Sequence, residues 1–254
     1  MKSIVIANQK GGVGKTTTAI NLGYCLALAN KNTLVIDLDP QANATSGLGV
    51  TSDKFYGTYQ ILLEGIIKPE SIKQTSFHTK LSVIPSSSIV ASLEYKLDEG
   101  HLGKQRLKNI LLSLENTYDF VLIDCPPSFG NISVNALNAV NSVIIPIQCE
   151  YFAMEGLSQT IRIINMVKSE SNPSLFVAGI LLTMYDNSLQ YNREVVIEIR
   201  KHFANKVFKT IIHRDVTISE ASSFAKPVFE YDVTSIGTSG YVELTREILY
   251  GKHG

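Results

Sequence analysis

Short runs of consecutive apolar residues alternate along this chain with stretches whose apolar positions recur every three to four residues. Ser3-Ile4-Val5-Ile6-Ala7, Thr33-Leu34-Val35-Ile36, Phe120-Val121-Leu122-Ile123, Ser142 to Ile147 and Val177 to Leu182 are of the first kind. Runs of that length without polar alternation predict strands covered on both faces, the habit of a parallel sheet. Leu107, Ile110, Leu111 and Leu114 are of the second kind, as are Leu157, Ile161, Ile164 and Val167, and Tyr241, Leu244 and Ile248. Each set falls on one helical face and predicts an amphipathic helix. The alternation of the two patterns predicts an α/β fold: a mostly parallel, twisted sheet with helices on both faces. The pattern is weakest from residue 50 to 103, which is read as short helices and one strand near Leu81 to Ile84.

The chain has 254 residues. With no repeat and no Pro/Gly-rich linker, residues 1–254 are expected to form a single domain. Lys plus Arg and Asp plus Glu number 23 each, so the formal charge is zero and any nucleic-acid site must be a local one. No run approaches 18 uninterrupted apolar residues, and no basic segment leads into an apolar one at the N-terminus. A cytoplasmic protein is expected. Cys25, Cys125 and Cys149 lack metal-ligand spacing and are read as free, buried thiols.

Candidate chemistry is concentrated after the first strand, in Gln9-Lys10-Gly11-Gly12-Val13-Gly14-Lys15-Thr16-Thr17. Glycines there let backbone N–H groups turn inward around phosphate oxygens, and the helix that follows adds the positive end of its dipole. Lys15 is placed to reach β- and γ-phosphates, and the Thr16 hydroxyl to ligate Mg²⁺. The usual first glycine of such a loop is Gln9 here, and Lys10 is an additional cation. Asp37 and Asp39 close the second strand and Asp124 closes another. In a parallel sheet these strand ends gather at the phosphate loop, where a carboxylate can hold Mg²⁺ or orient water.

The motifs KGGVGKTTT (10–18), DLDPQANATSGLG (37–49), LIDCPPS (122–128), IPIQCEYFAMEGLSQ (145–159) and ISEASSFAKPVFEYD (218–232) resemble those of the ParA/Soj partition ATPases. That family shares its deviant P-loop with MinD and the nitrogenase iron protein. The resemblance covers nearly the whole chain and is nearest the short Soj-like members. No helix-turn-helix pattern precedes the first strand, so operator-specific repression is not expected. The resemblance implies a nucleotide site of Lys10, Gly11, Gly12, Val13, Gly14, Lys15, Thr16 and Thr17, with ATP and Mg²⁺ as cofactors. Lys10 would be the signature lysine that reaches the partner's phosphates in an ATP-sandwich homodimer, with Gly11 where the subunits touch. Asp39 would position the hydrolytic water. Thr16, Asp39 and Asp124 would form the Mg²⁺ shell. Pro227 and Met184 would line the adenine, and Glu150 would contact the partner's nucleotide.

The resemblance further implies a ParB-like partner that stimulates slow hydrolysis, non-specific binding of double-stranded DNA by the ATP dimer, and association with the nucleoid. Soj-like relatives carry arginines where this chain has Ser188 and Thr217. Arg214 is retained. From Arg193 to Lys226 seven Lys/Arg stand against four Asp/Glu, and Lys209 and Arg214 are the DNA-contact candidates. Alternative readings are a positioning ATPase for another cargo and a division-site ATPase like MinD. The latter needs a basic amphipathic C-terminal helix, and residues 242–254 are balanced in charge. An iron–sulfur reductase would need a second cluster cysteine beside Cys125.

Overall fold

The structure is a computed structural model that describes residues 1–52, 56–97, 101–150 and 152–251, with the side chains of these apart from 101–104. Its strands are β1 (Lys2–Ile6), β2 (Thr33–Asp37), β3 (Lys73–Gln74), β4 (Leu81–Ile84), β5 (Phe120–Asp124), β6 (Ser142–Gln148), β7 (Phe176–Tyr185) and β8 (Val207–His213). The helices are α1 (Lys15–Leu28), α2 (Asn43–Gly47), α3 (Thr58–Glu64), α4 (Leu93–Lys96), α5 (His101–Ser113), α6 (Asn131–Ala139), α7 (Ala153–Glu170), α8 (Gln190–Phe203), α9 (Val216–Ser223), α10 (Val228–Tyr231) and α11 (Ile236–Tyr250). One eight-stranded sheet runs in the order β3-β4-β2-β5-β1-β6-β7-β8. Only the β3–β4 pair is antiparallel.

The apolar runs explain this sheet. Successive strand residues point to opposite faces, and both faces are covered. Val5, Leu34, Ile36, Val121 and Ile123 enter one apolar layer with Leu107, Ile110, Leu157 and Ile164 from α5 and α7. Ile4, Ile6, Val35, Phe120 and Leu122 enter the other with Leu22, Leu26, Tyr241 and Leu244 from α1 and α11. Hence strands with no polar alternation are still strands. Gly23 lets α1 approach the sheet, because a Cβ there would meet Val35 Cγ2 at 3.0 Å.

Two strands escape the sequence pattern. β3 has two residues, too few for any periodicity. β8 reads Val-Phe-Lys-Thr-Ile-Ile-His, and Lys209 and Thr210 break its apolar run. Its register against β7 shifts between Ile180 and Leu182. At that irregularity Lys209 N and Thr210 N donate to the Glu247 carboxylate at 2.8 and 3.0 Å, and Arg200 donates to the carbonyls of Phe208 and Lys209. Side chains thus satisfy backbone groups that a regular ladder would have paired.

Cys25, Cys125 and Cys149 are free and buried. Among the described residues no helix is long and apolar enough to cross a membrane. Tyr241 and Leu244 of α11 are buried against the body of the protein, so the face that a MinD-like docking helix would offer is already packed. Residues 252–254 of that expected tail lie outside the described residues.

Candidate active site

β1 ends in the sheet's centre, and the chain turns through Gly12 (φ 73°) and Gly14 (φ 89°) into α1. Only glycine takes those left-handed angles without strain. Gly14 is the N-cap of α1, and no side chain caps the helix. The first-turn N–H groups are therefore left for an external acceptor, and the dipole favours an anion there. The loop is held from outside. Asn8 donates to Pro146 O at 2.7 Å while its Oδ1 accepts from Lys10 N at 3.0 Å, and Thr183 Oγ1 donates to Val13 O at 2.9 Å.

Lys15 lies folded into this loop, 6% exposed, with Nζ donating to Lys10 O at 3.0 Å. Burial lowers its pKa, while the charges of Asp124, Cys125 and Asp39 oppose that effect. A lysine held dry with few partners suits a cation awaiting a polyanion. Asp124 stands beside it at the end of β5, in register with Asp37 of β2. Both Asp124 oxygens are buried without a well-formed hydrogen bond. Burial drives its pKa well up, and the charge of Asp37 adds to this. The Thr16 hydroxyl and the Lys15 ammonium act the other way.

An orphaned carboxylate beside a threonine hydroxyl fits an Mg²⁺ shell, which would supply the charge that Asp124 lacks. Among the described residues no three His, Cys, Asp or Glu side chains are grouped as a metal cage.

The two aspartates at the end of β2 differ in their surroundings. Asp37 is fully buried and accepts from Asp39 N, Thr45 N and Thr45 Oγ1 at 3.0, 2.8 and 2.7 Å. Burial raises its pKa to about 6 despite those bonds. Asp39, 7% exposed, accepts one hydrogen bond at its carboxylate, from Gln41 N at 2.9 Å.

At the surface, Lys10 Nζ pairs with Glu150 Oε2 at 2.7 Å, with about two-fifths of each side chain exposed. Glu150, expected to face a partner's nucleotide, is here the ion-pair partner of Lys10 in its own chain. Gly11 is exposed, and a Cβ built on it would meet nothing nearer than Pro127 Cβ at 3.9 Å.

A cavity of about 400 Å³ opens beside Gly14 and Thr17, and Met184, His213, Ile218 and Tyr241 line it. Met184 takes a left-handed φ of 52°, an uncommon conformation for a side chain of that size and one often found where a ligand is gripped. Pro227 does not reach this cavity. After α9 the chain reverses at Ala225 (φ 53°), and Pro227 becomes the buried N-cap of α10, where Val228 N donates to Asn21 Oδ1 of α1. His213, at the end of β8 and edge-on to Tyr185 with ring centroids 5.3 Å apart, takes the position by the cavity. The strand-end rule that found the aspartates would have found it, had β8 been recognised.

The two residues expected as DNA-contact candidates line different cavities. Arg214 lines the nucleotide-end cavity, whereas Lys209 lies toward the other end of β8, in a polar cavity of about 790 Å³ with Lys168, Arg200 and Lys206. Ser188 and Thr217 are fixed in local turns. Ser188 donates its N–H and hydroxyl to Asp186, and Thr217 N donates to Asp215, the N-cap of α9.

A glycine loop leading into an uncapped helix, a buried lysine and strand-end aspartates at the carboxyl edge of a parallel sheet define a P-loop nucleoside-triphosphatase. A family model described as an AAA domain matches residues 1–177. The chain is 45% identical over 248 residues to the sporulation initiation inhibitor protein Soj of Bacillus subtilis, covering 97% of this chain and 98% of the relative. It is equally 45% identical to the chromosome-partitioning ATPase Soj of Treponema pallidum, covering 98% of this chain and 97% of that one. Among solved structures, the cobyrinic acid a,c-diamide synthase of Mycobacterium smegmatis with bound ADP and magnesium superposes with a TM-score of 0.84 at 31% identity, over 100% of this chain and 97% of that one. The chain belongs to the Soj/ParA family of chromosome-partitioning ATPases.

Proposed function

We propose that this ATPase acts as an ATP-dependent dimer that binds DNA without sequence preference and is reset by hydrolysis. The observation that carries the reading is the split of its two loop lysines. Lys15 is buried beside Asp124, as a fixed phosphate ligand would be, whereas Lys10 and Gly11 are at the surface, as groups meeting a second copy would be. Lys15 would hold the β/γ-phosphates, and Thr16 and Asp124 the Mg²⁺, which when bound offsets phosphate charge. Asp39 would orient the attacking water, and Met184 and His213 would flank the base. Lys10, released from Glu150, would place its cation on the partner's phosphates and stabilise charge spreading over the transferred group. A ParB-like protein would accelerate that step.

Gly11→Val tests the dimer. A side chain fits in the single chain, so the variant should fold and bind ATP but stay monomeric, because two backbones approach there too closely for a branched residue. Light scattering with ATP reads the result, and an intact dimer would contradict the proposed face.

The DNA surface we assign is the group around Lys209, with Lys168 and Lys206, rather than the Lys209–Arg214 pair. Dimerisation presents two such groups on one body, which makes the second contact effectively intramolecular. If the dimer neutralises roughly four phosphates, log K falls against log salt with a slope near −3 to −4. Replacing Lys206 and Lys209 with glutamate should flatten that slope on two unrelated duplexes alike. No binding at low salt with ATP would remove DNA from the reading, and strong preference for one duplex would overturn the non-specific mechanism.

A further inference from the structure

Asp39 sits in a loop with few anchors of its own. Its carboxylate accepts from Gln41 N, and its carbonyl from Ala42 N at 2.9 Å, within a turn that passes through Ala42 at φ 53°. The Asp37 side chain fixes that turn to the sheet at both ends, beside the backbone bond from Leu38 N to Asp124 O at 2.9 Å. One Asp37 oxygen accepts from Asp39 N, at the start of the turn, and the other accepts from the N–H and hydroxyl of Thr45, at its end. The Thr45 oxygen is used twice. While donating to Asp37 it accepts from Ser86 N at 2.9 Å, two residues past the end of β4. Thr45, Asp37 and Ser86 are each fully buried. A single hydroxyl therefore joins the end of β4 to the carboxylate whose other oxygen sets Asp39.

We propose that Thr45 is a positioning residue for ATP hydrolysis: its hydroxyl, held between Ser86 N and Asp37, fixes the turn that aims the Asp39 carboxylate. This rests on the reading of Asp39 as the water-orienting group. Without the hydroxyl, Asp37 loses one of its three donors and Ser86 N loses its acceptor, so the turn is released from β4 while the glycine loop, Lys15 and Thr16 are untouched. The expected signature is a loss confined to the chemical step. A misplacement of about 1 Å in a catalytic group can cost on the order of 100-fold in rate.

The test compares single-turnover hydrolysis, ATP affinity and thermal stability for Thr45→Val, Thr45→Ser, Thr58→Val and Asp39→Ala in the full chain. Thr45→Val keeps the branched shape without the hydroxyl, and should hydrolyse roughly 10- to 100-fold more slowly while binding ATP within about twofold of the parent. Thr45→Ser should restore most of the rate. Thr58 donates its hydroxyl to Asp37 O at 2.6 Å, so Thr58→Val removes a neighbouring buried bond that does not involve the carboxylate. It should lower Tm by a similar few degrees and leave the rate alone. A parental rate in Thr45→Val, an equal slowing in Thr58→Val, or a fall in ATP affinity that accounts for the rate would each overturn the proposal. A parental rate in Asp39→Ala would instead overturn the reading of Asp39 on which it rests. Should Thr45→Val not fold, Thr45→Cys, which retains a weak donor, should be intermediate in rate, and a parental rate there is equally fatal.

Discussion

Lys15→Ala is expected to lose ATP binding without loss of fold. Truncating one member of a buried, hydrogen-bonded charge pair costs about 2–5 kcal/mol, roughly 30- to 4,000-fold in affinity. The phosphates would meet the helix N-terminus but no fixed cation. The empty protein should tolerate the change well, because burial already disfavours the Lys15 charge more than its neighbours favour it, as its lowered pKa records. The variant's own Tm should be unchanged or slightly raised. What disappears is the stabilisation by nucleotide, about 2.7 kcal/mol when ligand is at 100 times its Kd. Thermal unfolding with and without Mg²⁺-ATP separates the two quantities. A parental ATP-induced shift in this variant would defeat the phosphate-site assignment, and a collapsed Tm without nucleotide would show Lys15 to be a structural cation.

Asp39→Ala is expected to divide binding from turnover. The Asp39 amide, which anchors the turn to Asp37, survives the substitution, and only the carboxylate goes. Removing a group that positions or deprotonates a nucleophile typically costs about 10²–10⁴ in rate. ATP affinity should stay within a few-fold, and the ATP-bound state should accumulate. Single-turnover hydrolysis with excess protein isolates the chemical step, and a rate equal to the parent's would sink the assignment. The same turn distinguishes the two strand-end aspartates. Asp37 is fully buried and its three hydrogen bonds all come from the protein, so Asp37→Ala should damage folding first.

The central strands were legible in the sequence because both sheet faces are covered, and burial on two sides leaves an uninterrupted apolar run. The phosphate loop was legible because its glycines answer a backbone demand that no other residue meets. The cavity beside Gly14 was not. Its walls come from Met184, His213 and Ile218, brought together by pairing of β7 with β8, and β8 hides its strand character behind Lys209 and Thr210. Pro227, which the resemblance set beside the adenine, is the N-cap of α10 and is not among the residues that line this cavity. Lys209 and Arg214 are five residues apart in sequence, and an extended strand between them places them roughly 16 Å apart along the chain. The Lys10–Glu150 pair spans 140 positions and has no local signature. The same is true of the link from Thr45 to Ser86, since a threonine in a short polar segment gives no sign that its hydroxyl has two fixed partners.

The clamp on β8 bears on how copies of this chain can meet. A sheet edge with free backbone groups is a template on which another chain can add a strand, and such growth has no natural stopping point. At β8 the Glu247 carboxylate occupies adjacent N–H groups and Arg200 occupies adjacent carbonyls, while at the other edge β3 is only two residues long. A strand bound irregularly by side chains at one border and a two-residue strand at the other are poor templates for strand addition, which guards the sheet against edge-to-edge growth.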